Sequence, residues 1–128
     1  MTMVYWCLLV IVCMPIVLAW VAGYYRHQQF GDVDNKHPRE QCAKLEAAGA
    51  RAYAAQQNAW EALAIFLASL FVATHAGVSP QTIGTASAVF VAARLLYAIF
   101  YLVNLDVLRS LTFMAGLGCC LWLFAAAI

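Results

Sequence analysis

Two ionisable side chains, Glu61 and Arg94, each fall inside a long run of apolar residues. A charge placed in hydrocarbon costs at least about 2.5–3.5 kcal/mol, so such residues face protein or a polar cavity and mark functional sites by default. Their neighbours extend the pattern. Asn58 is three residues before Glu61 and Arg51 is seven before Asn58, so the three share one helical face, bordered by Gln57. Arg94, Tyr97 and Tyr101 follow the i, i+3, i+7 spacing of a single face, and Arg109 and Ser110 open the next apolar stretch. Guanidinium donors, an amide, a carboxylate and two phenols together can hold a small molecule that carries both an amine and carboxylates. Two plainer accounts compete with this one. Glu61 and Arg94 can form a structural ion pair, and Tyr101 can be an aromatic at a membrane interface.

These residues act together only if the elements bearing them bring them to one level. Of the 128 residues, 66% are apolar and 10% are charged, against roughly 25% charged in a typical soluble domain. So little charge cannot cover a small soluble globule, and a net charge of +1 gives no basic excess for nucleic acid. Composition thus excludes a soluble enzyme, a disordered chain and a nucleic-acid binder, and leaves an integral membrane protein. Four apolar stretches, about 3–25, 47–75, 81–103 and 108–128, are each long enough to cross about 30 Å of hydrocarbon. A signal peptide fits the first stretch poorly, because no Lys or Arg precedes it. Pro15 is expected to kink that helix, while Ser79 and Pro80 read as the N-cap and first residue of the third span. The expectation is all-α: one domain over residues 1–128, an up-and-down four-helix membrane bundle with a loop at about 26–46.

Glu61 lies ten residues past Arg51 and Arg94 nine before Val103, about 15 and 14 Å along their helices. Matched depth on antiparallel helices predicts that the two charges pair. The basic residues Arg26, Lys36, Arg39, Lys44, Arg51 and Arg109 cluster at the first loop and third connection. By the positive-inside rule those segments are cytoplasmic and both termini are not. The five cysteines, Cys7, Cys13, Cys42, Cys119 and Cys120, form no CxxC pair and read as small apolar residues. His27, Asp32, Asp34, His37 and Cys42 match no compact ligand pattern, so a solvated loop and no metal site are expected. A proton-relay transporter would explain Glu61 and Arg94 but not a stripe that reaches Arg109.

The segment Arg51-Ala-Tyr-Ala-Ala-Gln-Gln-Asn58-Ala-Trp-Glu61 resembles the second-helix motif of the MAPEG family, the membrane-associated proteins of eicosanoid and glutathione metabolism. Arg94-Leu-Leu-Tyr97-Ala-Ile-Phe-Tyr101 is similar to its third-helix motif, and Leu108-Arg109-Ser110 to the start of its fourth helix. Asp34-Asn35-Lys36-His37-Pro38-Arg39-Glu40 resembles the first loop of bacterial members. The resemblance implies a homotrimer in membrane lipid, with glutathione as co-substrate bound between subunits near the cytoplasmic side. It implies that Asn58 and Glu61 hold the tripeptide, Glu61 facing its amino group, and that Arg94, Tyr97 and Tyr101 line the same site. Arg51 and, more loosely, Arg26 join the binding set, Arg109 stabilises the thiolate, and Ser110 donates a hydrogen bond. At Ala54 the chain departs from the pattern, since glutathione-using relatives commonly carry Arg there.

The chemistry so implied is glutathione transfer to, or peroxide reduction of, a lipophilic small molecule arriving from the bilayer. A thiol of pKa about 8.5 is mostly protonated at neutral pH, and a guanidinium beside it raises the thiolate fraction. The alternative is a non-catalytic protein of the same fold that binds a lipid or small molecule.

Overall fold

The computed structural model describes residues 2–128 and contains four long helices and one short one. They are α1 (Thr2–Phe30), α2 (Pro38–Ala43), α3 (Ala47–His75), α4 (Pro80–Leu102) and α5 (Asp106–Ala127). The four long helices are apolar and long enough to cross a membrane. α4 and α5, at 23 and 22 residues, are about 33–35 Å long, close to the thickness of the hydrocarbon core. α1 and α3 have 29 residues each, about 44 Å, so their joined ends overhang on the side of the 31–46 segment. That side is called the loop face below. Helix continues through Pro15, which is buried.

α3 and α4 pack on each other and on both outer helices, whereas α1 and α5 do not meet among the described residues. α3 carries Ala52, Ala55 and Ala59 on its buried side. Small residues let membrane helices approach, replacing the hydrophobic drive that lipid removes. Where α3 begins, a Cβ on Gly49 would come within 2.9 Å of Leu45 Cδ2 and 3.0 Å of Tyr25 Cβ. Deeper in the bundle, Phe66 and Phe90 stack at 4.2 Å with nearly parallel rings. Large apolar side chains such as Trp6, Trp20, Phe71, Leu111 and Met114 cover the outer surface.

Both turns are closed by their backbones. At the end of α3, Gly77 (φ +76°) lets Val78 N donate to Ala73 O and Gly77 N to Thr74 O. This is a Schellman cap, which satisfies carbonyls that the helix end would leave free. Ser79 Oγ then accepts from Thr82 N at 3.2 Å and Pro80 opens α4, as the sequence predicts. α4 ends in the same way: Asn104 (φ +62°) supports Leu105 N to Phe100 O and Asn104 N to Tyr101 O.

α1 continues to Phe30, so the expected loop at 26–46 shortens to 31–46; this exposed segment is organised about one amide and contains the short helix α2. Gln41 Oε1 accepts from Arg26 Nε (2.6 Å) and Asp34 N (3.0 Å), while its Nε2 donates to Asp32 O (3.0 Å). Arg26 Nη2 adds a bond to Asp34 O. Backbone N–H groups of His37 and Lys36 hold the Asp34 carboxyl below its usual range.

Phe66→Ala should lower stability by about 3–5 kcal/mol, through the cavity left beside Phe90. Phe71→Ala, on the outer surface, should change it by less than about 1 kcal/mol. Reversible unfolding in detergent micelles checks both.

Candidate functional site

Asn58 and Glu61 on α3, Arg94 on α4 and the inner face of α5 enclose a small cavity of about 120 Å³. Phe90, Ile65, Phe113, Leu117 and Cys120 form its apolar walls. Arg94 is 2% exposed. Its Nη2 donates to Asn58 Oδ1 at 2.7 Å, and Asn58 Nδ2 donates to Glu61 Oε2 at 3.1 Å. The guanidinium also lies over the Tyr97 ring, 4.1 Å from its centroid, a contact that stabilises a desolvated cation. On α5, Gly116 faces Arg94: a Cβ there would lie 3.5 Å from Arg94 Cδ, at ordinary contact distance.

The direct Glu61–Arg94 pair expected from matched depth is absent. Among the described residues the only carboxylate within 4.0 Å of a basic side chain is Asp34, beside His37. Asn58 stands between the two charges and bonds to both, its amide oxygen toward the cation and its nitrogen toward the carboxylate. Depth read from rise per residue set the level correctly but carried no information on rotation about the helix axis. The insertion leaves Arg94 Nε buried with no hydrogen-bond partner.

A second cleft, about 410 Å³, opens toward the loop face and is lined by Tyr97, Tyr101, Arg109, Ser110, Phe113 and Met114. Tyr97 and Tyr101 meet edge to face at 5.6 Å, and the Arg109 guanidinium lies 4.4 Å from the Tyr101 centroid. Arg94, Tyr97, Tyr101 and Arg109 therefore form one row, two rings between two cations, from mid-bundle to the rim. Ser110 lines the cleft, but its hydroxyl donates to Asp106 O at 3.0 Å. Phe113 borders both cavities.

Two residues of the predicted set lie elsewhere. Arg51 Nε donates to Leu102 O at 3.3 Å, at the end of α4, and Arg51 lines neither cavity. Arg26 borders a separate cavity of about 400 Å³ with Arg39, Cys42, Tyr53, Gln56, Gln57 and Trp60. Gln57 thus points away from Asn58 and Glu61. Sequence reasoning missed Phe113, Phe90, Leu117 and Cys120 as walls. Only Phe113 carried a usable signal: it lies one turn after Arg109, on the same face.

Four membrane-length helices enclosing a buried arginine, an amide bridge and a row of phenols define an integral membrane protein with an internal polar site. The chain belongs to the MAPEG family, whose model it matches over residues 3–128, essentially its whole length. Comparison with curated proteins gives no match.

Asn58→Ala would leave the buried guanidinium without its one hydrogen-bonded partner among the described residues, at a cost of at least about 1–3 kcal/mol. Gln57→Ala, at an exposed position outside this cavity, should stay within about 0.5 kcal/mol of the wild type. Parallel unfolding curves of the two variants test the difference.

Proposed function

We propose that the protein uses glutathione as co-substrate in transfer to, or peroxide reduction of, lipophilic molecules drawn from the bilayer. The observation that carries this reading is the row Glu61–Asn58–Arg94–Tyr97–Tyr101–Arg109, polar throughout and set in an apolar bundle. Its donor set fits a tripeptide bearing an ammonium and two carboxylates. Glu61 is exposed on the cavity side and can receive the ammonium. Arg94 Nε, buried and unpaired, has a hydrogen bond still to give. At the rim, Arg109 supplies positive charge, its guanidinium lying over the Tyr101 ring.

Bound glutathione supplies the nucleophilic sulfur, and the residues of the chain set its protonation and its access. Arg109 stabilises an anionic sulfur in the rim cleft and so raises the thiolate fraction at neutral pH. Ser110 Oγ, its hydrogen turned to Asp106 O, presents a lone pair there rather than a donor. The apolar rim at Phe113 and Met114 admits a lipophilic partner from the membrane. Family membership favours a homotrimer with each site completed by a neighbouring subunit. The distribution of basic residues favours a cytoplasmic loop face with both termini on the opposite side.

Ala54 supports a second reading, in which the same cavity serves a non-catalytic protein that binds a lipid or another small molecule. An Arg–carboxylate contact missing from that position is not easily replaced.

Millimolar glutathione should raise the melting temperature of the purified protein, as any ligand of the native state does. No shift would favour the second reading. Arg109→Ala should keep the shift but lower conjugation of a model electrophile by about 100-fold or more. Unchanged turnover would remove Arg109 from its assigned role.

A further inference from the structure

The end of α4 has more carbonyl groups than its own cap can satisfy. The Schellman bonds from Leu105 N and Asn104 N take up Phe100 O and Tyr101 O. The next carbonyl, Leu102 O, accepts from the side chain of Arg51, which reaches across from the first turns of α3. A cation at this position also opposes the negative end of the helix dipole. The turn that follows is only three residues long, Val103–Leu105, before α5 starts at Asp106. On its near side α4 carries Tyr101. On its far side Arg109 N closes the first turn of α5 on Leu105 O at 2.9 Å. The stack of Arg109 on Tyr101 therefore spans this turn, and any tilt of α4's end relative to α5 changes their separation.

We propose that Arg51 is a positioning residue, which holds Arg109 against Tyr101 by fixing the carbonyl end of α4 and does not itself bind the ligand. The proposal rests on the glutathione reading above and assigns Arg51 a different part in it from the one the family resemblance implies. Two features support the assignment. Arg51 is half-buried and its Nε is already engaged, and it lines neither the deep cavity nor the rim cleft. Asn104, at φ +62°, independently controls the same turn without lining either cavity. A β-branched residue is strained in that region of backbone space.

The test compares Arg51→Ala, Arg51→Lys and Asn104→Val with the wild type in full-length, detergent-solubilised protein. The readouts are glutathione affinity from thermal shifts and the pH profile of kcat with a model electrophile. Arg51→Ala should bind glutathione within about 3-fold of the wild type while kcat falls about 10-fold or more, as small misplacements of a reacting group do. The acid limb of its kcat profile should move to higher pH, because an Arg109 held farther from the sulfur no longer lowers the thiol pKa. Arg51→Lys, whose ammonium can still meet Leu102 O, should recover most of the rate, and Asn104→Val should reproduce the Arg51→Ala profile. In the Arg109→Ala background, Arg51→Ala should have no further effect on the profile. Glutathione affinity lost about 10-fold or more at an unchanged kcat profile would make Arg51 a ligand for the tripeptide and overturn the proposal. Lowered stability with unmoved kcat and pH profile would make it a structural cap only, and would also overturn it. A wild type that neither binds nor conjugates glutathione would instead remove the reading on which the proposal rests, and the proposal with it.

Discussion

A guanidinium in the middle of an apolar bundle must be solvated by the protein itself, and Arg94 is solvated by very little. One amide oxygen, from Asn58, meets its Nη2, one ring, from Tyr97, covers its face, and its Nε has no partner. The other features of the site follow from keeping this group in place. Asn58 must present its oxygen inward, which turns its nitrogen toward Glu61. Gly116 on α5 packs against Arg94 and Phe90 and helps to shut the guanidinium away from lipid. Tyr97, held against the guanidinium, sets the position of Tyr101, which in turn receives Arg109. A bridge through a neutral amide has a further consequence. Glu61 is not neutralised by direct pairing, so its charge remains available to a cationic group in the cavity.

Helix length and helix ends place this row with respect to the membrane. α4 and α5 match the bilayer, so their connecting turn sits at its edge, and Tyr101 and Arg109 sit with it. α1 and α3 overhang on the same side, where Arg26 and Gln41 tie the intervening segment together. Gln29 reinforces the tie by donating to Lys44 O and accepting from Glu46 N, just before α3 begins. The loop face is thus built from hydrogen bonds and the interior from small residues and stacked aromatic rings. Inside the bundle, lipid removes the advantage of burying apolar surface, and close packing takes its place.

Spans and turns were legible in the sequence because their signals are local. Apolar length gave the second span as 47–75, and Gly77, Ser79 and Pro80 are residues whose backbone chemistry ends one helix and starts the next. The residues of the site were legible for a related reason: a charge or amide is conspicuous among leucines and alanines. Their partners were not. Helical spacing groups Arg51 with Asn58 and Glu61, yet Arg51 reaches back to the end of α4, a contact between residues 51 positions apart. Gln57 and Asn58 are adjacent in sequence but face different cavities. Leu117 walls the site and is indistinguishable by type from the leucines that face lipid. Rotation about each helix axis, set by packing, decides all of these, and residue spacing alone leaves it open.

Arg94 is a buried cation whose Nε–H is free to meet a ligand. Nuclear magnetic resonance of the Arg94 Nε–H in detergent-solubilised protein tests it directly. The expected resonance is in slow exchange with water, shifts as glutathione is added and does not shift in Glu61→Gln, where the ammonium has lost its carboxylate. A fast-exchanging Nε–H, or one that stays put when glutathione binds, would contradict it.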